Sequence, residues 1–76
     1  MVYHLYSRRR KEYLRSSGAY LDGHGMKSYT HWTPYIDRAQ SFASRKAAKN
    51  MRRLLLRKKR ESAIITDGKG EPVWDI

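Results

Sequence analysis

The sequence predicts an α+β fold: a small antiparallel sheet packed by one long basic amphipathic helix, with a C-terminal β-hairpin. Three observations predict it. Short aromatic-rich runs with strand-like alternation fill the first half of the chain. The segment from Arg45 to about Lys59 has helical periodicity and contains neither Gly nor Pro. Two β-prone runs near the end flank Asp67-Gly68-Lys69-Gly70, the composition of a tight turn.

Each element follows from its residues. Val2, His4 and Tyr6 alternate with Tyr3 and Leu5, as in a half-buried strand. Arg8 to Glu12 is a charged break. Tyr13-Leu14-Arg15 and Ala19-Tyr20-Leu21 read as short strand pieces separated by a turn at Ser16-Ser17-Gly18. Asp22-Gly23-His24-Gly25 is a second turn, where glycine supplies positive φ. Met26 to Trp32 is a third short strand. Thr33-Pro34 then has the chemistry of a helix start, and a helical turn from Pro34 to about Ser41 would bring Tyr35, Ile36 and Ala39 inward. Ser44 is the expected N-cap of the main helix. After Glu61 to Ala63, Ile64-Ile65-Thr66 and Val73-Trp74 to Ile76 form the terminal hairpin. Pro72 cannot donate to a ladder, which makes the last strand an edge and leaves room for a homodimer through strand pairing.

The whole chain, residues 1–76, is read as a single domain. A domain of this length buries roughly 60% of the surface its unfolded chain exposes, so its core is thin. With no cysteine, disulfides and thiolate metal sites are excluded. His4, His24 and His31 show no ligand spacing, and no cofactor or metal is expected. Two Trp, six Tyr and one Phe supply bulk in place of aliphatic residues, so most of Tyr13, Tyr20, Tyr29 and Tyr35 are expected in the core with Trp32 and Trp74. Base stacking by an exposed Tyr is the alternative. No apolar run approaches the ~20 residues that span a bilayer, and Arg8-Arg9-Arg10 comes too early for a signal peptide. The expected location is the cytoplasm, with no membrane partner.

Charge is the dominant feature. Seventeen Lys and Arg stand against seven Asp and Glu, a net +10, which argues for a polyanionic partner. From Arg45 to Arg60 nine of sixteen residues are basic and none is acidic. Wound at 100° per residue, Ala47, Ala48, Met51, Leu54 and Leu55 share an arc of roughly 120°. Lys46, Lys49, Arg53, Arg57 and Arg60 form a stripe opposite, about 20 Å long at 1.5 Å per residue. Like charges at these spacings repel, so a helix built for stability alone would intersperse Glu. Arg8, Arg9, Arg10 and Lys11 form a second cluster at a hairpin turn; beside the helix it would make a clamp for two strands or a groove. The plainer alternative is a hydrophilic turn and a solvated helix face.

No Walker loop, metal-ligand spacing or nucleophile motif is present, and the chain is read as no enzyme. His24, between two glycines, is the one residue with the look of an active site. A small ribonuclease using it as general base is the residual enzymatic reading, but no second catalytic partner is visible.

Trp32-Thr33 followed by Ala39-x-x-Phe42-x-Ser44-x-x-x-Ala48 resembles a pattern of small phage and prophage proteins, in which a β region ends in Trp-Thr and leads through Ala-x-x-Phe-x-Ser into an amphipathic helix. The resemblance covers about residues 29 to 55, and its residues mark packing and capping. It implies a phage-encoded accessory protein in the host cytoplasm that binds nucleic acid or inhibits a host machine such as RNA polymerase or a defence nuclease. The heavy Arg load on the helix departs from the common form and favours nucleic acid, DNA or RNA. An acidic host protein is the alternative partner, docked through the same basic face.

Overall fold

The computed structural model describes residues 1–73. Among them, β1 (Tyr3–Ser7), β2 (Glu12–Asp22), β3 (Gly25–Thr33) and β4 (Ile64–Asp67) form one antiparallel sheet in the order β3-β2-β1-β4. A 3-10 turn (Ile36–Arg38) follows β3. Then comes α1 (Arg45–Leu54), which runs directly into a π-helical turn, Leu55–Lys59. The class is α+β.

The helix has defined ends. Ser44 is extended, and its hydroxyl accepts from the Ala47 N–H at 3.2 Å, satisfying one of the donors left unpaired at a helix start. At the other end Arg60 adopts a left-handed conformation, φ 54°, and both its N–H and that of Glu61 point to the Leu55 carbonyl. Such a reversal caps orphan carbonyls and stops the helix. Leu55 therefore has two roles, since its side chain is also buried in the core.

The core joins Leu5, Leu14, Ala48, Leu55 and Ile65 with Tyr3, Phe42 and Ala63, and Trp32, Met51 and Val73 pack against it. Leu5 and Ile65 are cross-strand partners, and α1 contacts both β1 and β4. Each fully buried Leu or Ile contributes roughly 1.5–3 kcal/mol.

β1 and β2 pair only at Tyr6–Tyr13 and Ser7–Glu12. A register shift between Leu14 and Ser16 leaves Arg15 as the extra residue of a bulge. The chain entering α1 occupies the opening between the two strands. Gln40 N–H donates to the Leu14 carbonyl at 2.9 Å, and Phe42 exchanges two backbone hydrogen bonds with Tyr3. Buried His4 is tied to the same segment through Nδ1 and the Gln40 carbonyl, at 2.9 Å.

Beyond the bulge, β2 and β3 continue as a two-stranded arm paired from Ser16–His31 to Asp22–Gly25. Its residues are mostly exposed, and the molecule measures 41 × 25 × 23 Å. Two expectations are corrected here. Ser16-Ser17-Gly18 is not a turn but the middle of β2, paired with Tyr29, Thr30 and His31. The Tyr29 ring lies over Gly18, where a Cβ would come 2.7 Å from its hydroxyl. The ring thus fills the place of the missing side chain. Nor are the tyrosines mostly core: Tyr20, Tyr29 and Tyr35 are exposed and Tyr13 is half-buried. The arm's aromatics stack on one another instead, with Tyr29 5.5 Å from His31 and 6.4 Å from Tyr20.

The helical turn expected from Pro34 to Ser41 shrinks to Ile36–Arg38, with Tyr35 outward beneath the Arg38 guanidinium. Of the expected apolar arc, Ala48 and Leu55 are buried and Met51 is half-buried, while Ala47 and Leu54 are exposed. At the C-terminal end, Asp67 opens a turn in which its Oδ1 accepts from the N–H groups of Lys69 and Glu71, at 2.8 and 3.0 Å. These donors hold the Asp67 carboxyl below its ordinary pKa. Val73 N–H donates to the Ile65 carbonyl, and Thr66 bridges Pro72. Trp74 and the rest of the expected last strand lie outside the described residues.

Candidate nucleic-acid interface

The β1–β2 connection carries Arg8, Arg9, Arg10 and Lys11, all exposed. Its backbone is fixed by buried Ser7, whose carbonyl accepts from Lys11 N–H at 2.7 Å and whose hydroxyl accepts from Arg10 N–H at 3.2 Å. Lys11 takes the left-handed conformation, φ 57°, that closes the turn.

Glu61 is the hinge of the arrangement. It is buried where the chain leaves the helix, and its Oε1 accepts from Arg10 Nη2 at 2.6 Å and Arg9 Nη2 at 2.9 Å. The Arg10 hydrogen bond, more than any other cause, holds the Glu61 carboxyl below its ordinary pKa and raises that of Arg10 in return. Arg10 also lies over the Trp32 ring, 5.4 Å from its centroid. The turn's position is thus set by one buried carboxylate and one aromatic face.

Through this contact the two basic clusters of the sequence meet. Arg8, Arg9 and Arg60 line a common cleft of about 360 Å³ with Tyr6, Ser62 and Ile64. Tyr6 and Ile64 are cross-strand partners, so they share a sheet face and form its apolar side. Lys46, Arg53, Arg57 and Arg60 are exposed along the helix and Lys49 is half-exposed. The stripe is not uniform, because the turn from Leu55 to Lys59 is π-wound. Its wider winding rotates Arg57 and Arg60 away from the line set by Lys46, Lys49 and Arg53. Cations in this last turn also face the negative end of the helix dipole, which offsets part of their mutual repulsion.

Lys59 reaches away from the stripe and donates to the Ser28 hydroxyl on the arm. Between helix and arm lies a groove of about 310 Å³, walled by Ala19, Met51, Leu54, Leu55 and the Lys58 stem. His24 sits exposed at the arm tip, where its N–H donates to Asp22 Oδ1 at 2.7 Å as part of the turn. Among the described residues, no group of three or more His, Cys, Asp or Glu is placed to hold a metal ion, and no helix is long and apolar enough to cross a membrane.

Sequence reasoning located both basic clusters but missed Glu61 as their link. The available signal was its position, as the first acid after Asp37 and the one that closes the basic helix. Comparison with known proteins finds no matching family model, no similar curated protein and no similar solved structure.

Proposed function

We propose that the chain is a small, phage-encoded, basic accessory protein that binds nucleic acid, DNA or RNA, in the host cytoplasm. It contacts the phosphate backbone through Arg8, Arg9, Arg10 and Lys11 together with Lys46, Lys49, Arg53, Arg57 and Arg60. The observation that carries this reading is the double hydrogen bond of Glu61 to Arg9 and Arg10. One carboxylate holds the basic turn beside Arg60 and leaves a large surplus of cations on adjoining surfaces. Phosphates meeting such a surface release counterions, which drives binding with little dependence on sequence. The test compares oligonucleotide binding by the native chain with that of Arg53→Gln/Arg57→Gln and Arg8→Gln/Lys11→Gln. Each pair is expected to weaken binding and flatten its salt dependence. Native affinity in both would remove the proposed contact residues.

A second reading is favoured by the arm. Leu21 and Met26, 76% and 69% exposed, stand beside one another near its tip, where phosphates would gain nothing from them. They suit a protein surface, with the basic body docked on an acidic host protein that the chain inhibits or modulates. Leu21→Ser/Met26→Ser would abolish such binding while leaving oligonucleotide affinity near the native value.

A further inference from the structure

We propose that the cleft between the β1–β2 turn and the helix end is a site for the terminal phosphate of a nucleic-acid strand. This rests on the nucleic-acid reading above and adds an end-recognition function to it. The rest of the basic surface is convex helix, suited to the flank of a strand. This part is concave, with Arg8 and Arg9 from the turn and Arg60 from the helix end.

The chemistry separates a strand end from its interior. An internal phosphodiester has a single charge, two non-bridging oxygens and chain on both sides. A terminal phosphate monoester carries about −1.5 to −2 charges near neutral pH, offers three acceptor oxygens and has chain on one side only. Three arginines from two segments, lining one cleft together with Ser62, match the second set better. Arg also presents its donors as a planar fork suited to bidentate phosphate contact. The side formed by Tyr6 and Ile64 is apolar, and can take the sugar or base face of the terminal nucleotide while its phosphate meets the arginines.

The Glu61 contact keeps this site from collapsing. Arg9 is already hydrogen-bonded to Glu61, so its position does not depend on ligand. The left-handed backbone of Arg60 sets where its side chain leaves the helix end. The Arg9 guanidinium is therefore placed in advance, which lowers the ordering cost of binding.

The experiment uses the full chain and single-stranded twelve-nucleotide probes of one sequence, with a 5′-phosphate, a 3′-phosphate or hydroxyls at both ends. Binding of one phosphorylated probe about tenfold tighter than the hydroxyl probe is the expected result. Arg60→Asn removes the guanidinium while keeping a residue that tolerates φ > 0, and should erase that preference. Equal, tight binding of all three probes by the native chain would overturn the terminal site and leave the general interface standing. Failure of all three to bind would remove both. A preference that survives in both Arg60→Asn and Arg8→Gln would also overturn it.

Discussion

Arg10 Nη2 donates to Glu61 Oε1 at 2.6 Å across fifty-one residues of sequence, and this contact joins the first turn of the sheet to the end of the helix. Glu61 accepts from two of the turn's arginines, and its side chain is 11% exposed. Replacing it with Ala removes the acceptor and leaves two cations beside Arg60. Glu61→Ala should lower stability by about 1.5–3 kcal/mol in urea unfolding, in the range of hydrogen bonds to charged groups. Arg9→Gln should change it little, because Arg9 is 73% exposed.

The same contact makes the turn sensitive to acid. The folded chain holds Glu61 below its ordinary pKa, chiefly by the Arg10 hydrogen bond. The sign follows from linkage: the contribution is complete above the unfolded-state value, about 4.3, and is lost as pH falls through the lower folded value. Acid titration of the native chain should therefore show a stability loss that is smaller in Glu61→Gln. A loss of equal size in both would assign acid sensitivity to other carboxylates.

Leu55 is the most consequential helical residue for the fold. It is 1% exposed, and its carbonyl accepts the two N–H groups that end the helix. Leu55→Ala should cost about 2–5 kcal/mol through lost burial and the cavity left behind. Leu54→Ala, one residue earlier but 45% exposed, should cost far less.

Gly18 and Tyr29 make the arm a local test. A Cβ at Gly18 would come 2.7 Å from the Tyr29 hydroxyl and 2.9 Å from Cζ, so the ring must move. Gly18→Val should speed amide exchange between Ser16 and His31 while global unfolding changes little, because no arm residue from Ser16 to His31 belongs to the buried core cluster. A large loss of global stability would show that the arm and body unfold as one unit.

The helix and its start were legible because capping and periodicity are local. Ser44, Ala48 and Leu55 are where the pattern puts them. Ser16-Ser17-Gly18 misled because local turn preference was overridden by pairing with Tyr29, Thr30 and His31, and by the Tyr29 ring over Gly18. The tyrosines misled for a topological reason. A thin core suggests that aromatics fill it, but Tyr20 and Tyr29 lie on an arm that extends past the helix, and sequence does not reveal which strands gain a covering layer. The π-wound turn has no sequence signature, so the straight stripe from Lys46 to Arg60 was drawn with the wrong winding at its end. Both halves of the candidate site were visible as charge runs, and their meeting at Glu61 required the fold.

The most direct test of the central claim is a salt series on the native chain. Fluorescent single- and double-stranded DNA and RNA would be titrated over about 50 to 300 mM salt, and log K plotted against log salt. Engagement of about four phosphates predicts a slope near −3 on single strands and slightly steeper on duplex. Weak binding to all four probes near physiological salt, or a slope near zero, would contradict nucleic-acid binding through this surface.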